Sequence, residues 1–249
     1  MTAASYVERR PASDLRADVA CTWIGRVGDT GERYTDRVLP DGCLDVIWDG
    51  ARLFVAGPDT APVVLTLRPG STLVGIRFRP GHASPVLGCP ASALLDERAD
   101  LEDLWGAIPA SAIAERLAGA GPLAAPAILE SVVRERVADA PPADRLVDGL
   151  VATLARSQNG PGLVAASAAR LGVTERSLHR RCTAAIGYGP KMLDRVLRFR
   201  RALLLVGAGG TSSMGALAAT AGYADQAHFT RECRRLAGQT PSELFKTAG

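Results

Sequence analysis

Two stretches of this chain repeat one another at a fixed separation. Leu178, Cys182, Gly187 and Pro190 are matched in order by Phe229, Cys233, Gly238 and Pro241, and 229 − 178, 233 − 182, 238 − 187 and 241 − 190 all equal 51. An apolar residue and a cysteine four positions apart share one face of a helix, and the glycine that follows is placed to end it. The repeat implies two copies of one supersecondary unit in the C-terminal part.

Each copy has a legible internal order. In the first, Leu163–Leu171 reads as a supporting helix, Gly172-Val173 as a turn and Thr174 as the N-cap of a second helix. In the second, Met214–Ala221 supports, Gly222 makes a tight turn and Asp225 caps a helix that presents Gln226, His228 and Arg231. That helix stops at Gly238, with Pro241 shortly beyond. Between the copies, Lys191–Leu205 is long enough for four helical turns before Gly207-Ala-Gly-Gly210 breaks it. A short helix entered from a turn, apolar on one side and rich in Gln, His and Arg on the other, suits the major groove of DNA.

Charge supports the same destination. Residues 156–249 carry 14 Arg/Lys against 5 Asp/Glu, a balance of +9, whereas residues 1–155 carry 15 against 21, a balance of −6. A basic segment neutralises phosphates and releases counterions, which gives sequence-independent affinity for nucleic acid. The sign changes close to Ser157-Gln-Asn-Gly-Pro-Gly162, a linker composition that marks a domain boundary.

The span from about 160 to 246 resembles the two-unit DNA-binding domain of the AraC family of transcription regulators. Gly222-Tyr, His228-Phe-Thr-Arg231 and Arg235-Leu-Ala-Gly-x-Thr-Pro241 carry most of the resemblance; Leu178-His-Arg-Arg181 and Gly187-x-x-Pro190 carry less. Cys182 and Cys233 depart from it, standing where that family usually has Phe. The resemblance implies two recognition helices held by the linker helix in successive major grooves. It also implies base contacts from Arg176, His179 and Arg180 in one and from Gln226, His228 and Arg231 in the other. Arg pairs with guanine and Gln with adenine through two hydrogen bonds each. Arg181, Arg195, Arg198, Arg234 and Arg235 are assigned to phosphates or to ion pairs within the protein.

The N-terminal part differs in texture. Cys21–Gly25, Leu44–Trp48, Leu53–Val55, Val63–Leu67 and Leu73–Phe78 are short β-prone runs separated by Gly/Pro turns, which suggests an antiparallel sheet or partial barrel over residues 20–90. Alternation puts Ile76 and Phe78 on one face of a strand and Arg77 and Arg79 on the other. From about 92 to 157 the pattern is helical, over Ala112–Ala118, Ala127–Val137 and Ala143–Ala155, segments that either cover the sheet or pair between protomers.

Pro40–Trp48 and Gly75–Gly81 are similar to segments that precede the DNA-binding domain in one subgroup of AraC-like regulators, a region of regulatory character. Asp45, Trp48, Arg77 and Arg79 are the residues there able to line an effector pocket; the alternative is an exposed sheet face.

The expected architecture is α+β. A β-rich sensor domain spans 1–108, a helical connecting or dimerising segment 109–157 and the two-unit DNA-binding domain 158–249. Double-stranded DNA is the expected partner, with RNA polymerase, a small-molecule effector and a second copy of the chain as further ones. No enzyme activity, cofactor or membrane association is expected, and the cytoplasm is the expected location. Five dispersed cysteines without a CxxC pair, and three dispersed histidines, give a metal site little to be built from. The alternative function is a thiol-based alkylation or redox sensor, or an alkyl-transfer protein, acting through Cys43 and joined to the same DNA-binding domain.

Overall fold

The computed structural model describes residues 4–29, 31, 33–156, 162–207 and 213–246. The Ser157–Gly162 linker thus falls outside the described residues except for Gly162, as does the glycine-rich break beyond Gly207. The chain is α+β, with the strands confined to the N-terminal part.

Six strands form one antiparallel sheet: β1 (Ala4–Arg9), β2 (Val19–Val27), β4 (Asp45–Trp48), β5 (Leu53–Ala56), β7 (Thr72–Phe78) and β8 (Arg98–Asp100), in the order β1-β2-β7-β4-β5-β8. β3 (Tyr34–Val38) and β6 (Val63–Leu67) pair separately. Pro69-Gly70 does join β6 to β7, but the two strands have different partners, so this turn passes the chain from one sheet to the other.

The strand period sorts side chains between two cores. On β4, Val46 and Trp48 enter the main core with Val55, Val74, Ile76 and Phe78, while Ile47 points the opposite way. There it joins Cys21, Trp23 and Leu73, which are covered by Phe54 and by Leu65 and Leu67 of β6. Trp23 sits opposite Gly75 across the ladder; a Cβ built on Gly75 would come within 2.3 Å of the indole, so only glycine lets the ring lie flat there.

The main core is closed by helices. α1 (Ala83–Leu87), a 3-10 turn at Ala91–Leu94, α2 (Leu101–Trp105), α3 (Ala107–Ala120) and α4 (Ala125–Asp139) bury Val86, Leu94, Leu101, Ile113, Leu117, Leu129, Val132 and Val133 against it. The strand-like reading of residues 20–90 is corrected at its end, where Ala83–Leu87 is helical. α5 (Arg145–Arg156) has a different allegiance: its Val147, Leu150 and Leu154 belong to the C-terminal core. The helices of 109–157 are therefore shared between the two bodies.

The C-terminal body contains α6 (Leu163–Arg170), α7 (Glu175–Ile186), α8 (Pro190–Gly207), α9 (Met214–Ala221), α10 (Gln226–Ala237) and α11 (Pro241–Lys246). The 51-residue offset extends to the elements themselves: α6 maps onto α9, α7 onto α10, and the first residue of α8 onto that of α11. No helix among the described residues is long and apolar enough to cross a membrane.

Candidate nucleic-acid interface

The second helix of each unit begins at a side-chain cap. Thr174 accepts a hydrogen bond from the Ser177 amide (3.2 Å) and Asp225 one from the His228 amide (2.6 Å). These caps are themselves 51 apart, 225 − 174, and each satisfies an amide that the first helical turn leaves without a partner. Both helices end on a left-handed glycine, Gly187 with φ 103° and Gly238 with φ 68°, a conformation that costs glycine little.

Their buried faces match as well. Leu178, Cys182 and Ile186 on α7, and Phe229, Cys233, Leu236 and Ala237 on α10, lie within one shared core. The opposite faces are exposed: Arg176, His179 and Arg180 on α7, Gln226 and Arg231 on α10. His228 is half-buried and meets the Tyr223 ring edge-on, 5.3 Å between centroids. His179 lies over Gly189, where an added Cβ would meet its Nε2 at 2.5 Å.

The remaining basic residues divide into two groups. Arg181 pairs with Asp144 (2.7 Å), Arg195 grips the buried Glu232 through Nε and Nη2 (2.8 and 2.6 Å), and Arg198 pairs with Asp194 while lying 5.5 Å from the centre of the Tyr223 ring. Two further arginines of α8 are also occupied. Arg200 donates to the Asp41 carbonyl (3.1 Å), and Arg201 donates to the carbonyls of Leu154, Ala155 and Ala221, at the ends of α5 and α9. Arg176, Arg180, Arg231, Arg234 and Arg235, by contrast, are exposed and make no ion pair with a described residue. Free positive charge is thus concentrated on α7 and α10, while α8 uses its arginines to hold the body together.

Sequence reasoning missed Glu232. Burial raises its carboxyl, but the Arg195 guanidinium outweighs this and holds it below the usual carboxylate range. Its signal was available: three residues after Phe229 and four before Leu236, it occupies the inward register of an otherwise basic helix.

The four N-terminal pocket residues do not converge. Arg77 grips the buried Asp45 through Nε and Nη2 (both 3.0 Å), and Trp23 donates to the same carboxylate (2.9 Å). Burial pushes the Asp45 carboxyl up, against the pull of Arg77. Trp48 is on the other side of the sheet in the main core, and Arg79 turns outward to the Arg16 carbonyl (2.8 Å). Cys43 is buried; burial pushes its thiol well up, the opposite of what a reacting thiolate requires. Burial also takes the thiols of Cys182 and Cys233 up to about 12. An open cleft of about 530 Å³ lies elsewhere, between α1 and α7, with Ser84, Pro85, Cys89, Arg180 and Arg181 on its walls.

Residues 167–247 match a family model described as a helix-turn-helix domain, and residues 7–100 match a domain of unknown function, DUF6597. No curated protein matches significantly. Among solved structures, the chain is similar to a probable AraC family transcriptional regulator from Rhodopseudomonas palustris CGA009, at 24% identity over 42% of this chain and 98% of that one, with a TM-score of 0.38. It is also similar to ToxT from Vibrio cholerae O395, at 11% identity over 98% and 97% of the two chains, with a TM-score of 0.43. Fatty-acid-bound ToxT from Vibrio cholerae strain SCE256 gives 10% identity over 95% and 96%, with a TM-score of 0.47. The chain thus joins a C-terminal part that matches a helix-turn-helix domain to an N-terminal part that matches DUF6597, the build of a DNA-binding transcription regulator.

Proposed function

We propose that this regulator reads two successive major grooves, α7 entering one and α10 the next. Arg176, His179 and Arg180 address base edges in the first, and Gln226, His228 and Arg231 in the second. Arg234 and Arg235 hold phosphates. One observation supports this above others: two helices with the same length, cap, buried register and terminating glycine expose their Arg, Gln and His side chains on the face away from a common core. Rigid support on one side and unpaired donors on the other are what base readout requires.

The N-terminal domain modulates this binding through its contacts with the DNA-binding body. His82 bridges Asp18 of the N-terminal domain and Asp148 of α5, each at 3.0 Å, and Ser84 donates to the carbonyls of Ala184 and Ala185 near the end of α7. Shifts within the N-terminal domain therefore have a direct mechanical route to the first recognition helix.

Selection of bound sequences from a random duplex pool tests the reading. The selected site should contain two half-sites about 10 bp apart, one turn of DNA. Arg180→Ala and Arg231→Ala should each cost about 1–3 kcal/mol and relax preference in different half-sites. A uniform loss across all sequences would reclassify both arginines as phosphate contacts.

A further inference from the structure

The loop between β5 and β6, residues 57–62, touches both helix-turn-helix units at positions the internal repeat makes equivalent. A Cβ built on Gly187, which ends α7, would lie 2.4 Å from Pro58 Cγ and 3.2 Å from the Ala91 carbonyl oxygen. One built on Gly238, which ends α10, would lie 3.4 Å from Pro62 Cγ. Two prolines of one short loop therefore rest on the two terminating turns, and Pro58 is buried.

The shape of the loop is fixed from the N-terminal domain's own side. The Gly57 amide donates to the Glu97 carbonyl (3.0 Å) and the Asp96 amide to the Pro58 carbonyl (3.1 Å). Thr60 donates to the Asp96 carboxylate through its amide and hydroxyl (2.7 and 2.8 Å), and Arg98 grips Asp59 with both terminal nitrogens (2.9 and 2.8 Å). Asp96, with φ 59°, is the one non-glycine residue of positive φ among the described residues. Aspartate is among the few side chains that tolerate this conformation, and here it aims the carboxylate at Thr60. A short loop held by six hydrogen bonds and carrying two ring-stiffened contact points has little freedom to follow the helices it touches.

We propose that the 57–62 loop is a two-point gauge by which the N-terminal domain sets the relative position of α7 and α10, and with it the half-site spacing the regulator accepts. The inference rests on the two-groove reading for its consequence on DNA, but not for its mechanical part. Pro58 and Pro62 touch the ends of the recognition helices away from their capped N-termini, so the gauge acts without occupying the base-reading face.

The test uses the full chain and two variants: Pro58→Ala/Pro62→Ala, which removes both rings, and Arg98→Ala, which keeps them but frees Asp59. Nitroxide labels at Glu175→Cys and Ala227→Cys, on a Cys89→Ser background, report the distance between the starts of α7 and α10 without DNA. The distance distribution should be narrow in the parent and broadened in both variants. Binding is then compared between the selected site and sites with one base pair added or removed between the half-sites. One base pair turns a half-site by about 35° and moves it by about 3.4 Å. The parent should discriminate by about tenfold or more and the variants by about threefold or less. Unchanged distributions in both variants would overturn the gauge, and broadened distributions with unchanged discrimination would overturn its role in spacing. If the parent itself ignores spacing, the two-groove reading fails, and the distance measurement still decides whether the loop fixes the helices.

Discussion

Glu232 shows how one carboxylate can decide which face of a helix is exposed. It accepts two hydrogen bonds from Arg195, tying α10 to the linker helix beside the buried Phe229, Cys233 and Leu236 and fixing the roll of the helix that exposes Gln226 and Arg231. Glu232→Gln should cost about 1.5–3 kcal/mol near neutral pH, because the amide keeps one acceptor for the Arg195 guanidinium and turns a donor toward its second N–H. Its pH dependence has a definite sign. The folded-state pKa is depressed, so the stability it brings is present above the unfolded value of about 4.3 and is lost as pH falls through the lower folded value. Thermal melts between about pH 5 and pH 3 should therefore fall more steeply for the parent than for Glu232→Gln. The cysteines argue the other way. Cys43 is buried with its thiol pushed well up, so Cys43→Ala should leave DNA affinity unchanged, and alkylating agents should affect parent and variant alike. A response to alkylation present in the parent and abolished by Cys43→Ala would restore the thiol-sensor reading.

At the scale of elements, the repeat makes a paired prediction. Thr174 and Asp225 do the same work at equivalent ends, so Thr174→Ala and Asp225→Ala should each destabilise the DNA-binding body by about 1 kcal/mol in denaturant titrations. Asp225→Asn should recover most of the loss, since the amide oxygen also accepts the His228 hydrogen bond. The helices announced themselves because caps, apolar spacing and stop signals all lie within a dozen residues. β1, β3 and β8 did not. β1 and β3 are largely exposed, with charged or polar residues at most positions, and their pairing is decided by neighbours far along the chain: Glu8 opposite Trp23, Asp36 opposite Leu65.

For the whole molecule, α5 decides where the DNA-binding body begins. Val147, Leu150 and Leu154 are each at most 1% exposed within the core that holds α7 and α8. A fragment of residues 158–249 would lose all three, each contributing about 1.5–3 kcal/mol of burial. We expect residues 143–249 to fold and bind duplex DNA with an affinity that falls steeply with salt, and residues 158–249 to melt earlier or not fold. Circular dichroism melts and binding across a salt series would check both. Equal stability of the two fragments would show that α5 is dispensable.

The sequence by itself determined the two-unit C-terminal architecture and the kind of residues it displays, because a helix-turn-helix unit is built from local signals and was written twice. It also determined the inward faces of the central strands, through the two-residue period of Ile76 and Phe78. Only the tertiary structure decided which arginines stay free. Arg181, Arg195, Arg200 and Arg201 look no different in sequence from Arg176, Arg180 and Arg231; the first group meets a carboxylate or a backbone carbonyl brought up by another element, and the second does not. The same holds for α5 joining the C-terminal core and for Pro58 and Pro62 resting on Gly187 and Gly238. Each depends on contacts between residues distant along the chain, and no local spacing encodes them.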